Sequence, residues 1–235
     1  MAEPFKNELG EPRIKVISQH LSKHASNFNQ AEFLSLALAN LESLSLMERN
    51  RQIVSAMKAC LPDDFVTAKN IIVKALAPSD TQTDKMGIHS WLAVPISEYF
   101  GQFGGEDFEQ AMHGLEKATL LFSSEWGIRH LINADQTRAL NKLHEWCSHE
   151  NEHVRRLVSE GSRPRLPWGF QLKAFVADPK LTFPLLEKLK NDESDYVRLS
   201  VANHLNDISK DHADWLQKQL ESWIDIEDKN RTKLI

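Results

Sequence analysis

The sequence predicts an all-α chain, wound as a right-handed solenoid of stacked helix pairs. Three observations predict it. Apolar residues recur at helical spacing along nearly the whole length, and no segment sustains the period-2 alternation of a half-buried strand. Short polar breaks, rather than long linkers, separate these segments, as in stacked helix pairs. A weak internal repeat is also present. Glu152-His153-Val154-Arg155 recurs 43 residues later as Asp195-Tyr196-Val197-Arg198, with Val158 matching Val201, and Ser124-Glu125-Trp126-Gly127-Ile128-Arg129 is a shorter third echo. A polar or acidic turn followed by Val/Ile-Arg, opening the second helix of a pair, has the look of HEAT-like repeats, whose second helices commonly line a concave surface.

The elements follow in order. Residues 1–10 read as a lead-in. Ile14, Val16, Ile17 and Leu21 stripe a helix over about Pro12–Ala25. A second helix starts near Gln30 with Phe33, Leu34, Leu36, Ala37 and Leu41, and a third near Ser45 with Leu46, Ile53, Val54, Met57 and Leu61. Pro62-Asp63-Asp64 breaks the third and caps a fourth, striped by Phe65, Ala68, Ile72 and Leu76. Residues 77–89 read as a surface loop. Trp91–Phe103 is helical up to Gly104-Gly105, and Glu106–Phe122 follows. Shorter helices are expected at Glu125–Ile132, Gln136–Ser148 and Asn151–Glu160, then at Trp168–Ala177, Leu181–Lys190, Ser194–Leu205 and His212–Ile224.

Composition bounds the function. With 235 residues, 41% hydrophobic and 26% charged, the chain can bury a large core as one domain, expected here to span residues 1–235. Its net charge of −5 excludes a wholesale basic nucleic-acid binder, so any such site must be a local positive patch. Cys60 and Cys147 lie far apart at apolar helical positions and read as reduced, buried thiols. The first thirty residues hold no apolar stretch of signal-peptide length and no later window approaches a membrane span, so a cytoplasmic protein is expected.

One stretch carries chemistry. Between Arg155 and Trp168 lie four arginines (Arg155, Arg156, Arg163 and Arg165), one carboxylate (Glu160) and one tryptophan (Trp168). On a helical wheel Val154, Leu157 and Val158 share an apolar face, leaving Arg155, Arg156, Ser159 and Glu160 on the other. A solvated face with an Arg156–Glu160 pair would explain that much. The loop after it asks for more. Pro164 and Pro167 stiffen the backbone and pre-set the direction of Arg163 and Arg165, which suits bidentate contacts to phosphate. Trp168 fits either a core anchor or a ring that stacks on a base. His144, Cys147, His149 and His153 cluster around one turn, but their spacing matches no closed zinc motif, so neither metal nor cofactor is expected. There is no phosphate-binding glycine loop and no nucleophile elbow.

The segment Arg155-Arg156-Leu157-Val158-Ser159-Glu160-Gly161-Ser162-Arg163-Pro164-Arg165-Leu166-Pro167-Trp168 resembles the signature of the AlkC-type DNA-alkylation-repair glycosylases, a branch of a HEAT-like-repeat superfamily. Ala2-Glu3-Pro4-Phe5-Lys6-Asn7 is similar to the family's start. Phe122-Ser123-Ser124-Glu125-Trp126-Gly127-Ile128-Arg129 is similar to its "SSEFAIR" segment, with Trp126 for the usual Phe, Gly127 for the usual Ala and His130 where proline is usual. Some members carry a C-terminal immunoglobulin-like domain, which this chain is expected to lack. The resemblance implies a monofunctional glycosylase that excises cationic alkylated bases, 3-methyladenine first and 3-methylcytosine second, from double-stranded DNA, acting as a monomer. It implies Glu160, Glu125 and Asp207 as active-site acids and Trp168 as the aromatic against sugar or base. Arg155, Arg156, Arg163 and Arg165, with Lys173 and Arg198, are the expected DNA contacts.

These residue types suit that reaction. An N-alkylated adenine is already a cation and leaves easily, so the difficulty is the positive charge that develops on the sugar. An ionised carboxylate near the anomeric carbon stabilises that charge and can orient the attacking water. A tryptophan face adds a cation–π contribution of about 0.5–2 kcal/mol. Two other readings remain open from sequence alone: a silent binder of damaged or branched DNA, and a protein-binding scaffold.

Overall fold

Helix caps written into the sequence set where the elements begin. The computed structural model describes residues 5–77 and 87–223. The expected surface loop at 77–89 falls largely outside them, as do Ala2-Glu3-Pro4 and Ile224. The chain forms two compact units, Met1–Leu131 and Ile132–Ile235.

In the first unit a 3-10 turn, Phe5–Leu9, leads into α1 (Glu11–Ser22), α2 (Gln30–Ala37), α3 (Leu46–Cys60) and α4 (Phe65–Ala75). These are followed by α5 (Ala93–Phe103), α6 (Phe108–Thr119) and the start of α7 (Ile128–Ala134). Asn29 caps α2 by accepting from the Glu32 N–H at 3.1 Å, and Asp64 caps α4 from Thr67 at 2.8 Å. Ser45 and Glu48 close a capping box on α3. Most of the apolar stripes read from the sequence are buried: Ile14, Ile17 and Leu21, then Phe33, Ile53 and Met57, then Ala68 and Ile72 are all fully covered, whereas Val16, Leu34, Leu46 and Leu76 are half-buried and Leu36 is exposed. Helix α2 packs on α3, α3 on α5 and α5 on α6. No strand forms among the described residues. One isolated parallel bridge links Leu76 to Ile88. Nor is any helix there long and apolar enough to cross a membrane.

The second unit holds α8 (Gln136–Trp146), α9 (Glu152–Gly161), α10 (Lys173–Ala177), α11 (Phe183–Leu189) and α12 (Asp195–Glu221). Helices α9 and α12 carry the two copies of the 43-residue repeat and pack against each other; α11 and α8 also pack on α9. Their shared core is the expected rib of Val154, Leu157 and Val158 against Val197, Val201 and Ile208, all at most 1% exposed.

Two boundaries differ from expectation. Trp168–Ala177 is helical only from Lys173, because the Leu166–Gly169 turn occupies the preceding residues. The helix expected at Ser194–Leu205 runs on to Asp211, since nothing between Asn206 and Asp211 breaks a helix, and α12 bends at His212, where the second expected helix begins. The interruption is confined to His212 (φ −138°, ψ 43°), whose Nε2–H donates to the Val176 carbonyl at 2.8 Å. Cys147 is buried, and burial pushes its thiol up to about 11. Cys60 is only half-buried, short of the full burial expected.

Candidate active site

Helix α9 is strongly two-faced, and the wheel leaves its charged face to solvent. In the structure α12 covers that face: Ser159 is fully buried and Glu160 is 4% exposed. What receives them is a polar seam on α12. Ser200, His204, Asp207 and Asp211 stand at helical spacing along one side of it.

Glu160 is held at both oxygens. Its Oε1 accepts from Arg163 Nη1 at 2.7 Å, and its Oε2 accepts from the Ser200 hydroxyl at 2.7 Å. Arg156 Nη2 lies 3.4 Å from the same Oε2, so the pair expected from i,i+4 spacing is present, but at a buried carboxylate. Arg163 Nε donates in turn to Asp207 Oδ2 at 2.8 Å, and Lys210 Nζ donates to Asp207 Oδ1 at 3.1 Å. One guanidinium therefore ties together two buried carboxylates from different helices. Burial works against the Arg163 charge, but the hydrogen bond to Asp207 and the Glu160 carboxylate outweigh it, and its pKa is held above the ordinary arginine value.

Behind the carboxylates lies His204, fully buried. Its Nδ1–H donates to the Ser159 carbonyl at 2.9 Å, leaving Nε2 to accept from the Thr182 hydroxyl at 3.2 Å. Burial lowers its pKa to about 4, against the opposing pull of the Ser159 carbonyl, so the ring is neutral at pH 7.

The other predicted residues separate into groups. Arg165 makes a two-pronged pair with Asp211, at 2.9 Å for both contacts, one turn of α12 beyond Asp207. Trp168 is 61% exposed, which removes the core-anchor reading, and Lys173 is exposed at the start of α10. Arg156 lies over the Tyr196 ring, 5.0 Å from its centroid.

Arg155 and Arg198, expected on DNA, sit at the opposite end of the α9–α12 junction, where both are engaged within the fold. Arg155 donates from Nε and Nη2 to Asp192 at 2.7 and 3.0 Å, from Nη2 to Glu193 at 3.3 Å, and from Nη1 to the carbonyls of His149 and Glu150 at 2.9 and 3.0 Å. Arg198 donates to the Asp192 carbonyl and the Asp195 carboxylate. Both lock the interhelical turns of successive repeats, because a buried guanidinium must satisfy its five donors within the fold.

Glu125 belongs to the first unit, buried in the turn before α7. That turn presses on α5. A Cβ on Gly127 would stand 2.1 Å from the Ser97 carbonyl oxygen, and one on Gly101 would stand 2.0 Å from the Gly127 oxygen. The Ser124 hydroxyl donates to the Leu115 carbonyl at 2.9 Å. Close backbone approach thus leaves no room for a side chain at Gly127.

Sequence reasoning missed Ser200, His204, Lys210 and Asp211. The signal was available as polar residues spaced by three and four along a helix that is otherwise apolar on its inner side. Among the described residues, no group of three His, Cys, Asp or Glu is placed to hold a metal ion.

The family model for "DNA alkylation repair enzyme" matches residues 108–234, which include every element of the α9–α12 site. The chain is similar to uncharacterized protein YhaZ of Bacillus subtilis (strain 168), at 39% identity over 220 residues, covering 93% of this chain and 59% of that protein. Its structure is similar to Pseudomonas fluorescens alkylpurine DNA glycosylase AlkC bound to DNA containing an abasic site analog, with a TM-score of 0.88 at 34% identity, over all of this chain and 63% of that one. The chain spans about three-fifths of the length of these relatives.

Proposed function

The chain belongs to the DNA alkylation repair enzyme family, and from that premise we propose that it is a monofunctional DNA glycosylase hydrolysing the N-glycosidic bond of cationic alkylated bases, 3-methyladenine foremost and 3-methylcytosine second. One observation carries the reading: the buried Glu160–Arg163–Asp207 cluster at the α9–α12 junction, eight residues along the chain from the exposed ring of Trp168.

Glu160 stabilises the oxocarbenium-like sugar and aims the attacking water; fixed at both oxygens, it needs little reorganisation as charge develops. Asp207 adds a second negative charge through the same guanidinium. Trp168 lies against the sugar or base and stabilises the cation through its ring face. Phosphate contacts fall to Lys173, Arg165 and Lys210, which keep exposed edges, while Arg163 is a positioning residue for the two acids.

Incubation of the protein with methylated duplex DNA, followed by chromatography of the supernatant, tests this. Release of 3-methyladenine with matching abasic sites in the DNA is the expected result. Tight, salt-dependent binding with no free base would replace the enzyme by a silent binder of damaged DNA.

A further inference from the structure

The loop that follows the acid cluster is built as a rigid prong. Leu166-Pro167-Trp168-Gly169 closes a tight turn, with the Gly169 N–H donating to the Leu166 carbonyl at 3.1 Å. Proline stands second and Trp168 third, at φ 60°. That third position of a type II turn normally belongs to glycine, and a tryptophan there is strained. The base of the loop is closed by the Leu172 N–H donating to the Pro164 carbonyl at 3.2 Å. Leu166 and Leu172 are 4% and 3% exposed, so both feet stand in the core. Arg163 and Arg165 fasten the same strand of chain to α12 through Asp207 and Asp211.

At the tip, two large rings keep much of their surface exposed, Trp168 at 61% and Phe170 at 42%, separated by Gly169. Strained backbone presenting apolar rings on a fixed stem, next to the acids, is the form of a recognition element. Phe170 carries no polar atom, so its ring offers only an apolar edge and a π face. Bases offer such a face.

Building on the glycosylase reading, we propose that Phe170 is a second DNA-contacting ring, which inserts between the base pairs flanking the alkylated nucleotide while Trp168 faces the lesion itself. Insertion of an apolar side chain opens a base step and kinks the duplex, and this exposes the glycosidic bond to Glu160. The partner is duplex DNA, and the contact is insensitive to sequence, because every base has a stacking face.

The test uses a duplex carrying an abasic-site analogue with 2-aminopurine as its neighbour, whose emission rises on unstacking. Wild-type protein should raise the emission on binding. Phe170→Ala should lose most of that rise and bind roughly tenfold more weakly, a change of about 1.4 kcal/mol, with an unchanged melting temperature, since the ring is half in water. Phe170→Trp should keep both signals. An emission rise in Phe170→Ala equal to that of wild type overturns the proposal. So does weakened binding with that rise intact, or a wild-type protein that leaves emission unchanged. Base release by wild type, measured in parallel on methylated duplex, separates the two claims. Release with an unaltered Phe170→Ala signal sinks the prong alone; no release with a Phe170-dependent signal sinks the glycosylase reading alone.

Discussion

Arg163 does the most at the scale of single residues. It is the counter-charge for two carboxylates buried to 4% exposure or less, and truncating one partner of a buried ion cluster is far costlier than truncating a surface pair, about 3–5 kcal/mol. Arg163→Ala is therefore expected to lower Tm by roughly 10 °C and to abolish base release, whereas a pure phosphate ligand would lose affinity and keep its Tm; thermal unfolding decides. His204 makes a second prediction, in pH. Its folded pKa of about 4 lies below the ordinary 6.5, so between those values the unfolded chain binds the proton and the folded chain does not. The stability gained from keeping the ring neutral is full above pH 6.5 and is lost as pH falls toward 4, by about 3 kcal/mol at most. In denaturant titrations at both pH values, the advantage of wild type over His204→Asn should shrink at the lower pH. A constant gap would mean the ring is not the titrating group. Glu160 and Trp168 could be picked out of the sequence because their neighbours are distinctive. His204 could not, because a histidine on a helix gives no sign of being enclosed.

The working element is the α9–α12 pair. The wheel gave α9 its apolar rib correctly and left its other face to solvent or to DNA, since amphipathicity in one helix cannot show that a second helix brings a polar seam to meet it. Ser200 is the clearest member of that seam. Its hydroxyl is one of the donors holding Glu160 Oε2, and hydrogen bonds to charged groups are worth about 1.5–3 kcal/mol. Ser200→Ala should slow base release about tenfold with DNA affinity unchanged, and lower Tm by roughly 5 °C. Unchanged release kinetics would reduce Ser200 to a packing residue. The extension of the first half of α12 through Asn206–Asp211 to the kink at His212 was legible in hindsight, from the absence of glycine and proline there. The shortened α10 was not, because the Leu166–Gly169 turn places a tryptophan where turn chemistry leads one to look for glycine.

For the whole molecule, the all-α repeat class was legible from periodicity and the 43-residue echo, since each repeat exposes its apolar stripe to the next. The charge logic also holds at this scale. A chain with a net charge of −5 binds a polyanion only through cations left exposed, and the structure divides the arginines accordingly. Those at repeat junctions are consumed by carboxylates of the fold, which a sequence motif cannot distinguish from phosphate ligands. Lys173→Ala should thus weaken DNA binding and reduce the slope of log affinity against log salt by about one, whereas Arg155→Ala should leave the slope and lower Tm instead. Equal effects on the slope would return Arg155 to the DNA-binding set.

The central claim is that Glu160, fixed by Arg163 and Ser200, acts on the breaking glycosidic bond. Single-turnover release of 3-methyladenine from methylated duplex by Glu160→Gln, alongside its affinity for the same DNA, tests it most directly. The amide keeps the shape but lacks the charge. Release is predicted to fall by at least a hundredfold, about 2.7 kcal/mol of barrier, with affinity within a few-fold of wild type; release at a near wild-type rate would contradict the account.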